Sequence, residues 1–176
     1  GVGNAGPVYL SQDTQNDNRV ALRILVPELL THPREVTRLF NEMRKASDLA
    51  HRNIVRTTNF VHELDAPTFY VMEALAGHSL SAAFARPMAM ELQWLLDIAA
   101  QVARALGAAH TAGITHGNVA PQNIFMVASG SGKHRVKVLD FGLAGWLESN
   151  QPMLGLAPPY RPPEISEGEP ITPEAD

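Results

Sequence analysis

A chain of 176 residues, 45% hydrophobic and 18% charged, has the material for one globular unit with a substantial core. Its formal net charge of −4 argues against the basic field that nucleic-acid partners require, and the absence of cysteine excludes disulfides, zinc–thiolate sites and thiol catalysis. No apolar run reaches the roughly 18 to 20 residues needed to span a bilayer, so no membrane partner is expected within this segment.

Residues 1–26 read as extended. A glycine-rich GVGNAGPVYL leads through the polar turn QDTQNDN into RVALRILV, which predicts two strands joined by a hairpin. In PREVTRLFNEMRKASDLAH, Val36, Leu39, Met43, Ala46 and Ala50 recur at three- and four-residue spacing, which predicts a helix over about 34–50 with one apolar face. Pro33 suits its first turn. Two short extended runs follow, NIVRTTNFVHEL and PTFYVMEAL, with the turn signal Asp65-Ala66-Pro67 between them, and Gly77 interrupts the pattern. From Met90 a long helix is predicted, ending near Gly113; its apolar stripe is wide enough to predict burial on more than one side, with Trp94 and Leu95 in the core. Strands around NIFMV and RVKVLDF come next, linked by ASGSGKH, and the proline-rich LAPPYRPPE and GEPITPEAD read as irregular.

The glycines Gly1, Gly3 and Gly6 form G-x-G-x-x-G. Such spacing lets a backbone turn tightly and bring its N–H groups near phosphate oxygens, although ordinary turns produce the same pattern. The residues that follow, PVYL, are a strand pattern, whereas a dinucleotide fold requires a helix there. RVALR then puts Arg23 where V-A-x-K has its lysine, and Glu42 lies on the first predicted helix. HRNIV, FYVMEAL, THGNVAPQN, VLDFGLA and YRPPE complete the series. Five further histidines, His51, His62, His78, His110 and His134, have no spacing that suggests a metal site.

In this order the motifs resemble the signature set of the eukaryotic-like serine/threonine protein kinase family, in the flavour of its bacterial members. The resemblance runs from the glycine-rich loop to the start of the central helix of the larger lobe. It implies an α+β, bilobal protein-kinase-like fold: a small antiparallel β lobe over residues 1–76 and part of a mainly helical lobe over residues 77–176. It further implies that Gly1, Gly3 and Gly6 cover the phosphates of ATP. Val8, Ala21 and Phe125 would sandwich the adenine, with Met72 at the back of the pocket and Glu73 and Leu75 offering hinge backbone groups. Asn123 and Asp140 would hold Mg2+. Small-molecule phosphotransferases share H-G-D-x-x-x-x-N with His116-Gly117, but the glycine loop, HRNIV, DFG and PPE side with protein kinases.

The departures from the family pattern cluster. Arg23 keeps the charge of the phosphate lysine but has a longer, planar head; it is expected to reach Glu42 in an active-like arrangement. Asn118 stands where the catalytic base should be, and an amide can orient a hydroxyl but cannot accept its proton. Gly117, Ala120 and Ala157 replace the arginine, lysine and threonine around the transferred phosphate. Ser149 is the only hydroxyl residue between Asp140 and Ala157, which leaves little for loop phosphorylation to act on. Trp146 is read as a partner contact or a packing anchor. The resemblance with these departures implies a cytoplasmic, nucleotide-binding pseudokinase acting in signalling or as a scaffold, with a protein substrate or regulatory protein as partner. The alternatives are a slow, noncanonical serine/threonine kinase transferring the ATP γ-phosphate, and a kinase-shaped interaction module that binds no nucleotide.

Overall fold

The computed structural model describes all residues except 1, 4, 28–32, 64–65, 87–89, 129–133, 143–159, 161 and 168. Gly1, Trp146, Ser149 and Ala157 therefore lie outside the described residues. Five strands form the first sheet: β1 (Val2–Gly3), β2 (Gly6–Gln12), β3 (Arg19–Ile24), β4 (Thr57–Val61) and β5 (Phe69–Glu73), antiparallel throughout in the order β1-β2-β3-β5-β4. The predicted hairpin is β2–β3. The Asp13 carboxylate closes its turn by accepting from the Gln15 backbone and the Asn16 side chain.

Helix α1 (Pro33–Asp48) lays Val36, Leu39, Met43 and Ala46 on one buried face. Ala50, predicted on that face, is exposed. The helix has already ended, and Ala50 takes the left-handed backbone conformation at φ 48°. The segment after α1 is tied to the other half of the chain, with Val55 N donating to Val138 O at 3.0 Å and Val138 N to Asn53 O at 2.8 Å.

A second, three-stranded sheet, β6 (Gly77–Ser79), β7 (Ile124–Ala128) and β8 (His134–Val138), follows the order β6-β7-β8. Strand β6 and the one-turn helix α2 (Leu80–Phe84), whose N-terminus Ser79 caps, had no sequence signal beyond the break at Gly77. Gly77 is needed there because a Cβ would lie 1.9 Å from Met126 O across the sheet. The long helix α3 (Leu92–Thr111) buries Ile98, Val102, Ala105, Leu106 and Ala109. It stops as predicted at Gly113, φ 71°, where the Ile114 and Gly113 amides bond the Ala109 and His110 carbonyls.

Burial of α3 on more than one side is not found. Leu92 and Leu96 are 71% and 53% exposed and Trp94 and Leu95 only half-buried, because the described elements pack against one face of the helix. Near the end, α4 (Pro163–Ser166) forms a helical turn in a segment read as irregular; prolines at its start cost nothing, since first-turn amides have no helical partner. No helix among the described residues is long and apolar enough to cross a membrane.

Apolar side chains gather into two clusters. One lies between the first sheet and α1, around Leu25, Leu39, Met43, Val55, Tyr70, Met72 and Leu139. The other joins α3 to the second sheet, around Ile98, Ala105, Ala109, Met126, Val136, Val138 and Phe141. The candidate site lies where Leu139 of the first cluster and Phe141 of the second flank Asp140.

Candidate functional site

Alternation along β3 puts Ala21 and Arg23 on one face, and the register aligns Val8 with Arg23, Arg23 with Tyr70 and Ala21 with Met72. The sheet thus turns an arginine inward among apolar neighbours, where it is 7% exposed. An unpaired guanidinium there would be costly. Asp140 supplies the counter-charge: Arg23 Nη1 lies 2.5 Å from Asp140 Oδ2, and Tyr70 Oη donates to Asp140 Oδ1 at 2.8 Å. The Arg23 head also sits 5.9 Å from the centroid of the Tyr70 ring.

Burial alone would lower the Arg23 pKa, but contact with Asp140 and Tyr70 outweighs it and holds the guanidinium charged. Burial, reinforced by Asp140, pushes the Tyr70 hydroxyl well above its usual range, so it remains a donor. The Arg23 Nε is buried without a hydrogen-bond partner.

The expected Arg23–Glu42 contact does not form. Glu42 pairs instead with Lys45, one turn along α1, at 2.7 Å, and no Arg23–Glu42 ion pair occurs among the described residues. The reason is local packing. Gly142, at φ 79°, sits against α1 so closely that a Cβ would lie 2.9 Å from Glu42 Cβ, which brings Asp140 under the sheet and within reach of Arg23.

The stretch from Thr115 to Asn123 is held from several sides. His116 is buried; its Nδ1 accepts from the Asn118 amide at 3.1 Å, so Nε2 carries the proton and donates to Leu139 O at 2.8 Å. Its ring packs on Phe141 with centroids 4.6 Å apart. Burial pushes its pKa below the usual value, in keeping with the neutral form.

Asp176, which the sequence reading did not single out, anchors the same loop. Its carboxylate accepts from the backbone amides of His116 at 2.7 Å and Gly117 at 2.6 Å, and contacts His110 Nε2 at 2.8 Å. No motif marks this aspartate, and only contacts across some sixty residues reveal it. Asn118 and Asn123 are buried, and Asn123 Nδ2 donates to Asn118 O at 2.9 Å. Ala120 is 2% exposed and precedes a single 3₁₀ turn, Pro121–Asn123.

Of the expected adenine contacts, Val8, Ala21, Leu75 and Phe125 pack around the cluster that contains Met72 and Leu139, so two strands of the first sheet, its exit and β7 contribute to one apolar lining. That lining suits a flat heteroaromatic ring. Glu73 is fixed at the sheet's end: its Oε1 accepts from Arg56 N at 2.8 Å and Lys137 Nζ at 2.6 Å.

In the glycine loop, Gly3 faces Gly6 across a tight hairpin. Gly6 takes φ 126°, and a Cβ there would lie 2.0 Å from Ile24 O. Ala5 folds inward, 2% exposed, with its carbonyl accepting from Val26 N at 3.3 Å. A groove of about 740 Å³ runs beside the site along α1 and β4, lined by Glu73 with its partners Arg56 and Lys137 but by none of the residues expected to meet phosphate.

Of the expected magnesium ligands, Asp140 does not fit Mg2+ in this arrangement. Magnesium needs free oxygen ligands in tight octahedral order. Both oxygens of Asp140 already accept from Arg23 and Tyr70, and a permanent positive charge lies against one of them.

The family profile described as the protein kinase domain matches residues 1–176. The serine/threonine-protein kinase Pkn1 of Myxococcus xanthus is 34% identical over all of this chain and 26% of its own length. PknA of Mycobacterium tuberculosis is 31% identical over 81% of this chain and 33% of its own length. The chain therefore spans about a quarter to a third of these curated relatives. Among solved structures, the PknI kinase domain of Mycobacterium tuberculosis superposes with a TM-score of 0.77 at 28% identity, covering 100% of this chain and 64% of that one. Protein kinases as a family use ATP with Mg2+. Fold, motif order and these relatives agree: the chain belongs to the protein kinase domain family, with bacterial serine/threonine kinases among its relatives.

Proposed function

We propose that this chain is the nucleotide-facing part of a pseudokinase, a domain that binds an adenine nucleotide but transfers its phosphate at a negligible rate and acts in signalling or as a scaffold. Its lobes divide near residue 76, its partners are the nucleotide and a regulatory protein, and its place is the cytoplasm, where ATP is plentiful. The observation that carries this reading is the buried loop around Asn118. His116, Asn118 and Asn123 are held in a rigid network, so the loop is preserved as architecture, yet the group at the base position is an amide. Loss of a general base lowers rate by roughly 10²- to 10⁴-fold. Ala120, buried at the position of the substrate-side lysine, compounds the loss.

A second reading, the interaction module that binds no nucleotide, draws support from the inward-folded Ala5 and from the Arg23–Asp140–Tyr70 group, in which both oxygens of Asp140 are already taken within the chain. The test is autophosphorylation of the full-length protein with labelled ATP, alongside its melting temperature with and without nucleotide. The proposal expects no transfer above background and a raised melting temperature. Robust transfer that Asp140→Ala abolishes would replace it with the noncanonical-kinase reading, and an unmoved melting temperature with the interaction module.

A further inference from the structure

Arg23 and Asp140 occupy positions that, in the family pattern, stand on either side of the phosphates, the cation-bearing strand residue on one and the metal carboxylate on the other. Here they touch directly, at 2.5 Å. A magnesium ion in that pattern has one task the geometry isolates: it links the carboxylate to phosphate oxygens and offsets their shared negative charge. A guanidinium can do the same. It is planar, it stays charged, and its donors point along more than one edge, so it can hold a carboxylate on one edge and a phosphate oxygen on another.

Arg23 already uses Nη1 for Asp140, and its Nε–H is buried without an acceptor. Tyr70, donating to the other oxygen of Asp140, takes a second place a metal would need. We propose that Arg23 serves as a built-in counter-cation in place of a divalent metal, so that the site takes the nucleotide as a metal-free polyphosphate bridged to Asp140 through the Arg23 guanidinium.

The inference rests on the nucleotide-binding reading above, and the experiment separates the two. ATP is titrated into the full-length protein by calorimetry, once in EDTA and once in excess Mg2+. The expected result is a dissociation constant that differs by no more than about twofold between the two conditions, or is weaker with magnesium. Binding seen only with magnesium would overturn the metal-free site while leaving nucleotide binding intact. No binding in either buffer would overturn both.

The role of Arg23 is then tested by Arg23→Gln, which keeps some hydrogen bonding but is shorter and removes the charge. It should weaken metal-free ATP binding by roughly tenfold or more, and it should open a Mn2+ site at Asp140, seen as loss of the free-ion paramagnetic resonance signal that the unmodified protein leaves intact. Unchanged metal-free binding by Arg23→Gln would sink the bridge. Should that variant fail to fold, Arg23→Lys supplies the same contrast: a compact ammonium lacks the second donor edge, so binding should become magnesium-dependent, and Arg23→Lys that stays metal-independent would equally count against the proposal.

Discussion

At Arg23 the side chain's chemistry and its burial pull in opposite directions, and Asp140 resolves the conflict. Removing one member of a buried ion pair leaves the other uncompensated, so Asp140→Ala should cost about 3 to 5 kcal/mol in urea unfolding, while the double change Arg23→Met with Asp140→Leu should cost clearly less than the sum of its parts. The residues of this pair were legible in the sequence from their motifs, but their partnership was not. Motif order points Arg23 at Glu42, and it takes the packing of Gly142 against α1 to bring Asp140 within reach instead. At Asn118 the identity of the residue alone says that its amide cannot take a proton, and the structure adds that it is buried. Asn118→Asp alone should restore no more than about tenfold in phosphate transfer, since positioning supplies much of the barrier reduction and Arg23 remains engaged with Asp140. Adding Arg23→Lys and Ala120→Lys should gain more than the single changes multiplied together. The limit is burial: Ala120 is 2% exposed, and a lysine there must find a way out to solvent.

Elements with a strong period were legible: the β2–β3 hairpin with its aspartate-rich turn, α1 with its four buried positions, and α3 with its glycine stop. Strand β6 and helix α2 were not, because three and five residues are too few for a period to show. Apolar content alone does not say how many neighbours a helix has, and the described elements meet α3 on one face. The glycine loop shows how one residue can hold two readings at once. The motif points Gly6 at phosphate, yet its φ of 126° and the approach of Ile24 O make it a packing glycine as well. Gly6→Ala should therefore lower stability by about 1 to 3 kcal/mol even without nucleotide, measurable by thermal unfolding of the apo protein. A change that touched only ligand binding would leave the apo melting temperature where it was.

Across the whole molecule, the two clusters are joined by a few strong ties: the backbone bonds between residues 53–55 and Val138, the Lys137–Glu73 pair at 2.6 Å, and the buried His116. His116 makes that junction sensitive to pH. Its folded pKa is depressed by burial, so below the unfolded value of about 6.5 the unfolded chain binds the proton more readily and stability falls as the pH drops. Above that value the contribution is absent. The melting temperature should decline between about pH 7 and pH 5, and His116→Gln should flatten that decline. Asp176→Ala should speed hydrogen exchange at the amides of His116 and Gly117, which lose their acceptor. The same carboxylate governs timing. Its bonds close loops of 60 and 59 residues, so the stretch around His116 is made long before the group that fixes it. At a synthesis rate of roughly 5 to 20 residues per second, that stretch waits on the order of several seconds for its anchor, its histidine wet and its backbone unsettled.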